Sequence, residues 1–209
     1  MIVAADTPAE SAPVATDERS AVSVPTASAV WVLIAGVIGL AAAFTLTVEK
    51  IELLINPAYI PTCSINPVLS CGSVMVTHQA SVFGFPNPLI GVISFTVVVV
   101  TGVLAVAKVP LPRWYWAGLA IGSLLGAVFV HWLIFQSLYR IGALCPYCMV
   151  VWSVTIPLLV VASSIALQPL RTPVGRFVYQ WRWSLVTLWF TGVILLILVR
   201  FWNYWSTLI

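Results

Sequence analysis

Cys145-Pro146-Tyr147-Cys148 leads directly into a long apolar run, residues 149–167. If the run is helical, Cys145 takes its N-cap and Pro146 its first position, where a missing N–H costs no intrahelical hydrogen bond. The free N–H groups and the dipole at a helix N-terminus favour thiolates at both cysteines. Residues three apart also share a helix face, so the two sulfurs can form or open a disulfide. The stretch therefore predicts a redox dithiol at a membrane surface.

The composition of the whole chain indicates an integral membrane protein. Of its 209 residues, 61% are hydrophobic and 7% are charged, whereas soluble domains carry about 25% charged residues. So little charge cannot cover a soluble domain of this size, and the expected surroundings are membrane lipid. The net charge of +3 is spread along the chain without a basic cluster, so no nucleic-acid partner is expected.

The acidic residues are confined to the N-terminal part of the chain. They are Asp6, Glu10, Asp17, Glu18, Glu49 and Glu52. An apolar body without carboxylates is poorly suited to a proton relay or to a site for hard metal ions. The remaining chemistry belongs mainly to four cysteines and two histidines, and no metal site is expected.

Hydropathy divides the chain into a tail and a membrane domain. Residues 1–28 are rich in Ala, Ser, Thr, Pro and acidic residues, which is typical of a disordered, solvated tail. Residues 29–205 are predicted to be an all-α membrane domain with five transmembrane helices, because each apolar run approaches the ~20 residues that cross a bilayer. The predicted spans are about 29–48, 88–107, 114–139, 145–167 and 183–202. The long connection 49–87 carries two cysteines, and a short helix is expected in it over residues 73–83.

The basic residues orient this domain. With a cytoplasmic N-terminus, the inner segments hold Arg19, Lys108, Arg113, Arg171, Arg176 and Arg182, and the outer ones hold Lys50, Arg140 and Arg200. Six against three obeys the positive-inside rule. This orientation places all four cysteines on the oxidising side, where disulfides persist. The expected location is the cell membrane, with a cytoplasmic tail and extracytoplasmic cysteines.

The four cysteines form two pairs with different surroundings. Cys63 and Cys71 lie in the long connection, whereas Cys145 and Cys148 lie at a helix start. A loop pair can exchange first with a soluble partner and then with a fixed pair, each step passing through a mixed disulfide. Two alternatives remain open: inert disulfides in a non-catalytic membrane protein, and a zinc site made of four thiolates. The first is disfavoured because C-x-x-C closes too short a loop to stabilise much.

The chain resembles the vitamin K epoxide reductase family, in its bacterial disulfide-forming branch. The resemblance rests on the C-x7-C pair, on Cys71-Gly-Ser-Val-Met-Val-Thr77, on Val82-Phe-Gly-Phe-Pro-Asn-Pro-Leu-Ile-Gly91, and on Cys-Pro-Tyr-Cys in the fourth of five spans. It covers about residues 29–167. It implies a four-helix bundle around a quinone pocket with a peripheral fifth helix. In a second bacterial family of quinone-linked disulfide oxidases, which has four spans, the C-x-x-C pair comes first; here it comes second.

The resemblance also implies a role for each cysteine. Cys145 and Cys148 correspond to the active-site pair, with Cys148 nearest the quinone. Cys71 corresponds to the cysteine that exchanges with Cys145, and Cys63 to the one that faces the protein partner. The implied activity is that of a quinone-dependent thiol–disulfide oxidoreductase, which re-oxidises a secreted disulfide-forming protein. The implied cofactor is menaquinone or a related quinone.

The partner is expected to be a separate thioredoxin-fold protein, secreted or membrane-tethered. Some members of the family carry a fused thioredoxin-like domain. Too few residues remain outside the predicted spans of this chain to build one, as in actinobacterial-type members. The direction of electron flow stays open, because a reductase whose product is the reduced quinone or quinone epoxide would use the same thiols.

Three further residues correspond to positions near the quinone. Asn87 matches an asparagine that hydrogen-bonds a quinone oxygen, and Thr77 falls where serine or threonine recurs. Trp152, one turn after Cys148, takes the place of a tyrosine in vertebrate relatives, which leaves the second polar contact with the quinone open. Plainer interpretations stand beside these: Asn87 as a turn or cap residue, and Trp152 as core packing. His131 is expected to be a satisfied core or interface histidine.

Overall fold

The computed structural model describes residues 22–168 and 173–207. Most of the predicted disordered tail lies outside these ranges. The α-helices are α1 (Thr26–Ile55), α2 (Cys71–Met75), α3 (Pro88–Val106), α4 (Arg113–Gln136), α5 (Pro146–Leu167), α6 (Pro173–Arg200) and α7 (Trp202–Trp205). A 3₁₀ turn spans His78–Ser81, and a π-helical turn, Ser137–Ile141, continues α4. Within the described residues the only β-pairing is one isolated bridge, between Leu69 and Leu144.

Five of these helices can cross a membrane. They are α1, α3, α4 with its π-helical turn, α5, and residues Tyr179–Arg200 of α6. Each is long enough to span the roughly 30 Å of a bilayer's hydrocarbon core at 1.5 Å per residue. The predicted fold class, an all-α membrane protein with five transmembrane helices, is therefore confirmed.

The first helix is longer than its predicted span. It continues from residue 48 to Ile55, so the connection begins at residue 56 and not at residue 49. The charged residues that suggested a loop, Glu49 and Lys50, are both buried. They remain helical because hydrogen-bond partners from the connection satisfy their charges. The short helix expected over 73–83 is instead divided into α2 and the 3₁₀ turn.

Helices α1 and α5 form the centre of the bundle. α1 packs against α3 and α5, and α5 also packs against α4 and α6. A Cβ atom on Gly39 would lie 2.3 Å from the Phe95 ring, and one on Gly102 would lie 2.5 Å from the Leu33 Cα atom. These glycines let α1 and α3 approach closely, which is how helices gain contact in lipid. α6 is the least buried of the five spans, in agreement with a peripheral fifth helix.

One end of the bundle is covered by the connection between α1 and α3, residues 56–87, called the cap below. It contains α2, the 3₁₀ turn and irregular chain. Cys63 and Cys71, the loop pair, belong to the cap, whereas Cys145 and Cys148, the helix pair, lie at the start of α5. All four cysteines are therefore gathered at the same end of the bundle.

Candidate active site

A backbone bridge brings the two cysteine pairs together. The N–H of Leu144 donates to the Val68 carbonyl at 2.7 Å, and the N–H of Ser70 donates to the Leu144 carbonyl at 2.9 Å. Ser70 immediately precedes Cys71, and Leu144 immediately precedes Cys145. The bridge thus aligns one cysteine of each pair, although 74 positions separate them in the chain.

Three of the sulfur atoms form a buried cluster. Cys63 and Cys71 are joined by a disulfide, with their Cα atoms 5.5 Å apart, whereas Cys145 and Cys148 are free thiols. The Sγ atom of Cys71 lies 3.0 Å from that of Cys145. Cys63, Cys71 and Cys145 are exposed by 5%, 0% and 1%. The loop pair is thus oxidised and in contact with a reduced helix pair, but a soluble partner cannot reach Cys63 unless the cap moves.

Cys145 occupies the N-cap of α5, as its sequence context predicts. Its sulfur accepts a hydrogen bond from the Cys148 N–H at 3.4 Å, and Pro146 takes the first turn of the helix. A hydrogen bond with the Cys148 thiol lowers the pKa of Cys145, and the N–H groups of Cys148 and Tyr147 act in the same direction. Burial and the charge of Glu49 oppose these effects without reversing them. The Cys145 thiol is therefore more acidic than an ordinary cysteine thiol.

A cavity of about 580 Å³ lies between α3 and α4 and reaches Cys148. These two helices barely touch each other. The cavity follows α4 from Gln136, near the cysteines, to Trp114, a path of about 33 Å at 1.5 Å per residue. Its wall is mostly apolar, and at Gly118 and Gly122 an added Cβ would meet nothing within 4 Å. The cavity has the shape and polarity to hold a long, mostly apolar molecule.

Two of the residues expected near a quinone lie on the α5 wall of this cavity. Cys148 is partly exposed, and Trp152 follows it by one helical turn. The Trp152 ring is only 3% exposed and also packs in a core cluster with Val130 and Leu138. Both interpretations of Trp152, as cavity wall and as core packing, agree with its position.

Asn87 lies at the boundary between the cap and the cavity. Its side-chain amide donates to the Gln79 carbonyl at 2.7 Å, and its Oδ1 atom accepts from the Val82 N–H at 3.1 Å. Asn87 is buried and lines the cavity. An amide group has two N–H donors, and the contact with Gln79 uses one. Asn87 therefore holds the turn that precedes α3, and its second N–H has no hydrogen-bond partner among the described residues.

The structure does not bring Thr77 to the cavity. Its hydroxyl donates to the Val74 carbonyl at 2.7 Å, and Thr77 does not belong to the cavity wall. His131 accepts a hydrogen bond from the Trp189 ring N–H at 2.8 Å, while its other ring nitrogen bonds the Ala127 carbonyl at 2.7 Å. Both ring nitrogens are thus occupied, as expected for an interface histidine between α4 and α6.

Sequence reasoning missed two charged residues of the site, Glu49 and Lys50. Glu49 accepts hydrogen bonds from Tyr59 and Thr62, and Lys50 donates to the Met75 carbonyl. A signal for them exists in the sequence. The buried positions of α1 recur every three or four residues and pass through Leu46 to Glu49 and Lys50, so the helical stripe continues beyond the apolar run.

The sulfur cluster also bears on the zinc interpretation. The sulfurs of Cys63, Cys71 and Cys145 lie within 4.8 Å of one another, which is close enough for one metal ion. Zinc binds thiolates, and two of these sulfurs are bonded to each other. The donor set in the described state therefore fits disulfide exchange better than metal binding.

The cluster of exchangeable sulfurs beside an intramembrane cavity is typical of membrane oxidoreductases. A family model described as the vitamin K epoxide reductase family matches residues 30–163, which is more than half of the chain. The chain therefore belongs to this family, and the protein is a multi-pass membrane oxidoreductase. The match begins in α1 and ends in α5, so it includes both cysteine pairs. A search of curated proteins finds no match to the chain.

Proposed function

We propose that the protein re-oxidises a thioredoxin-fold protein and passes the electrons, through the loop pair and then the helix pair, to a quinone. The observation that carries this proposal is the 3.0 Å contact between the Sγ atoms of Cys71 and Cys145. It joins a pair in the cap to a pair whose second member, Cys148, lines the cavity. A continuous route for thiol–disulfide exchange therefore leads from the cap to the cavity.

The first exchange takes place at the loop pair. A thiolate of the reduced partner attacks the Sγ atom of Cys63 and displaces the thiolate of Cys71. The partner's second thiolate then attacks the partner sulfur bound to Cys63 and releases Cys63. The partner gains a disulfide, and the loop pair gains two electrons and becomes a dithiol.

The second exchange transfers these electrons to the helix pair. The Cys71 thiolate attacks the Sγ atom of Cys145 in the oxidised helix pair and displaces Cys148. The Cys63 thiolate then attacks Cys71 and releases Cys145, whose lowered pKa makes it a good leaving group. The products are an oxidised loop pair and a reduced helix pair, which is the combination found in the structure.

The residues around the cavity suit a quinone such as menaquinone. A bound quinone would accept two electrons and two protons, the same number that the helix pair releases when it closes to a disulfide. Cys148 would present its thiol to the ring, and the free N–H of Asn87 would orient a ring oxygen. Trp152 would cover a face of the ring, and the apolar wall would exclude water.

We further propose that the cap faces the extracytoplasmic side of the cell membrane and that the N-terminus is cytoplasmic. The six-to-three distribution of basic residues supports this orientation, and so does the disulfide of the loop pair. The partner would be a separate secreted or membrane-tethered protein, as in the bacterial disulfide-forming branch of the family.

Anaerobic mixing of the purified protein with a reduced thioredoxin-fold protein and excess menaquinone tests the function. Quinone absorbance should fall as the partner is oxidised, one quinone for each disulfide formed. Cys148→Ser should slow this reaction by about a thousandfold or more, because a hydroxyl cannot replace the thiolate. Met149→Leu, a change of similar volume at the next position, should leave the rate within about twofold. Full activity in Cys148→Ser would refute the proposed route.

A further inference from the structure

The loop disulfide is buried beneath a surface segment. Cys63 is only 5% exposed, but Ile60 and Ile65 on either side of it are 75% and 69% exposed. Thr62, the residue directly before Cys63, is also exposed. The chain around Cys63 is therefore not deep in the fold, and a small movement of this segment would uncover the sulfur.

Glu49 of α1 holds this segment. The Tyr59 hydroxyl and the Thr62 N–H donate to its carboxylate at 3.1 and 3.2 Å, and the Thr62 hydroxyl donates to its other oxygen. Glu49 is buried, with 5% exposure. A buried carboxylate requires such donors, and hydrogen bonds to a charged group are stronger than neutral ones. The contact therefore ties the backbone beside Cys63 to a membrane helix.

Lys50 holds the other side of the loop pair. Its ammonium group donates to the carbonyl of Met75, the last residue of α2, and Cys71 is the first residue of that helix. The bridge at Leu69 adds a second attachment on the Cys71 side. Apart from the Asn56 N–H, which donates to the Glu52 carbonyl at the end of α1, the other hydrogen bonds that the structure shows for residues 56–64 stay within that segment or join it to α2. Glu49 therefore attaches the Cys63 side of the loop pair to α1, and Lys50 and the bridge attach the Cys71 side.

We propose that Glu49 is a latch that controls access to the loop disulfide. With its hydrogen bonds formed, the disulfide is buried and Cys71 lies against Cys145. With them broken, residues 59–62 move outward and uncover the Cys63 sulfur, which is still bonded to Cys71, while Lys50 and the bridge keep Cys71 in place. Glu49 is a positioning residue that acts through Thr62. The inference rests on the proposed function only in taking the loop pair as the point where electrons arrive.

Access to the disulfide can be measured without a protein partner or a quinone. The full-length protein with Cys145→Ser and Cys148→Ser keeps a single disulfide, Cys63–Cys71. Under anaerobic conditions a water-soluble phosphine reduces it, because the phosphine gives up two electrons, takes an oxygen from water and leaves two thiols. Maleimide added at timed intervals traps Cys63, and mass spectrometry counts the labelled fraction. The rate reports how often the cap opens.

In this background, Glu49→Gln should speed reduction about tenfold, which corresponds to about 1.4 kcal/mol. Glutamine keeps the shape of the side chain but not the charge that strengthens its hydrogen bonds. Glu52→Gln is the matched control, because Glu52 lies three residues after Glu49 on α1 and is exposed. This variant should leave the rate unchanged. A rate in Glu49→Gln equal to the background, or slower, would overturn the proposal.

A second variant separates a latch from a general effect on folding. Thr62→Val removes one donor from an exposed position, so it should leave the fold intact and still speed reduction about threefold. The double variant Glu49→Gln with Thr62→Val should react about as fast as Glu49→Gln alone, because both changes break the same contact. An unchanged rate in Thr62→Val, or fully multiplicative effects, would show that Glu49 does not act through Thr62.

Discussion

Different interactions stabilise the cap and the bundle. In each region they suit the mobility required of the cysteine pair found there. The cap is irregular over much of its length. It is attached to α1 by hydrogen bonds that Glu49 accepts from the cap and that Lys50 donates to it. The bundle is held by apolar packing along whole helices, with glycines at the close contact of α1 and α3. Hydrogen bonds near a surface can open locally, whereas a packed bundle opens at a much higher cost. The loop pair therefore lies in a segment that can move, whereas the helix pair lies at a fixed position.

The difference has a chemical consequence for electron transfer. In the proposed route, the loop pair would react first with a large soluble protein and then with Cys145, which would require the cap to take two positions. The helix pair would present Cys148 at one fixed place on the cavity wall. Pro146 and the N-cap position of Cys145 provide that fixed geometry. A movable pair and a fixed pair thus divide the two tasks between them.

Among the variants that distinguish the role of the cap from that of the bundle, Cys63→Ser should have the largest effect. Without the Cys63 thiol, the loop disulfide cannot form and the protein partner loses the sulfur that it attacks. Turnover driven by the partner should fall more than about a hundredfold. Quinone reduction by a small dithiol such as dithiothreitol should stay within about threefold, because that reductant can reach the partly exposed Cys148 without the loop pair. Rates of quinone reduction with the two reductants provide the measurement.

The small dithiol also serves as the control for this variant. If Cys63→Ser lowers both rates equally, the loop pair is not a separate carrier, and the distinction between cap and bundle has no role in catalysis. If it lowers neither, electrons pass to the helix pair without the cap. Because Cys71 is buried, labelling of its thiol after denaturation would show that the loop pair of this variant is open.

A substitution in the bundle should instead affect the binding of the quinone and not the reaction with the protein partner. Gly122→Leu places a side chain in open space within the cavity and far from the cap. The KM for a quinone with a long isoprenoid tail should rise about tenfold, in line with an overpacking cost of about 1–3 kcal/mol. The KM for tail-less menadione should change less than about twofold, because its ring can remain near Cys148.

Gly192→Leu is the matched control for the cavity variant. Gly192 lies on α6, where an added Cβ also meets nothing within 4 Å and the residue is exposed. It does not line the cavity. This variant should leave both KM values unchanged. Equal increases for the long-tailed quinone and for menadione in Gly122→Leu would show that the tail does not follow α4.

The spans could be predicted because, in a chain with this composition, an apolar run of about 20 residues is typical of a transmembrane helix. The start of α5 was predicted to within one residue, since Cys145 and Pro146 both mark a helix N-terminus. The end of α1 was predicted too early. Glu49 and Lys50 looked like the start of a loop, and the groups that stabilise them, at Thr62 and Met75, lie 13 and 25 positions away. Local patterns do not contain such partners.

The site was only partly predictable for a similar reason. The four cysteines are chemically distinctive, so their pairing into a loop pair and a helix pair could be expected. The family resemblance implied a pocket within the bundle, but its course along α4 could not be predicted, because a glycine in an apolar helix has the same appearance whether it packs or lines a space. Gly39 and Gly102 bring helices together, whereas Gly118 and Gly122 face the cavity. Only the arrangement of the neighbouring helices distinguishes the two uses.

Asn87 belongs to both regions, and its substitution should have the smallest effect of the three. Asn87→Ala removes the N–H available to a quinone oxygen, worth about 1 kcal/mol, so the KM for menaquinone should rise about fivefold. The number of reactive thiols should not change, since the Asn87 side chain is hydrogen-bonded to Gln79 and Val82 and not to a cysteine. Steady-state quinone reduction by dithiothreitol, combined with a thiol titration, provides the measurement.

Asn56→Ala is the control for this variant, because Asn56 also holds a turn, through the Ala58 N–H, but lies outside the cavity. An equal KM increase in both variants would mean that Asn87 acts on the cap alone, and an unchanged KM in Asn87→Ala would remove it from the quinone site.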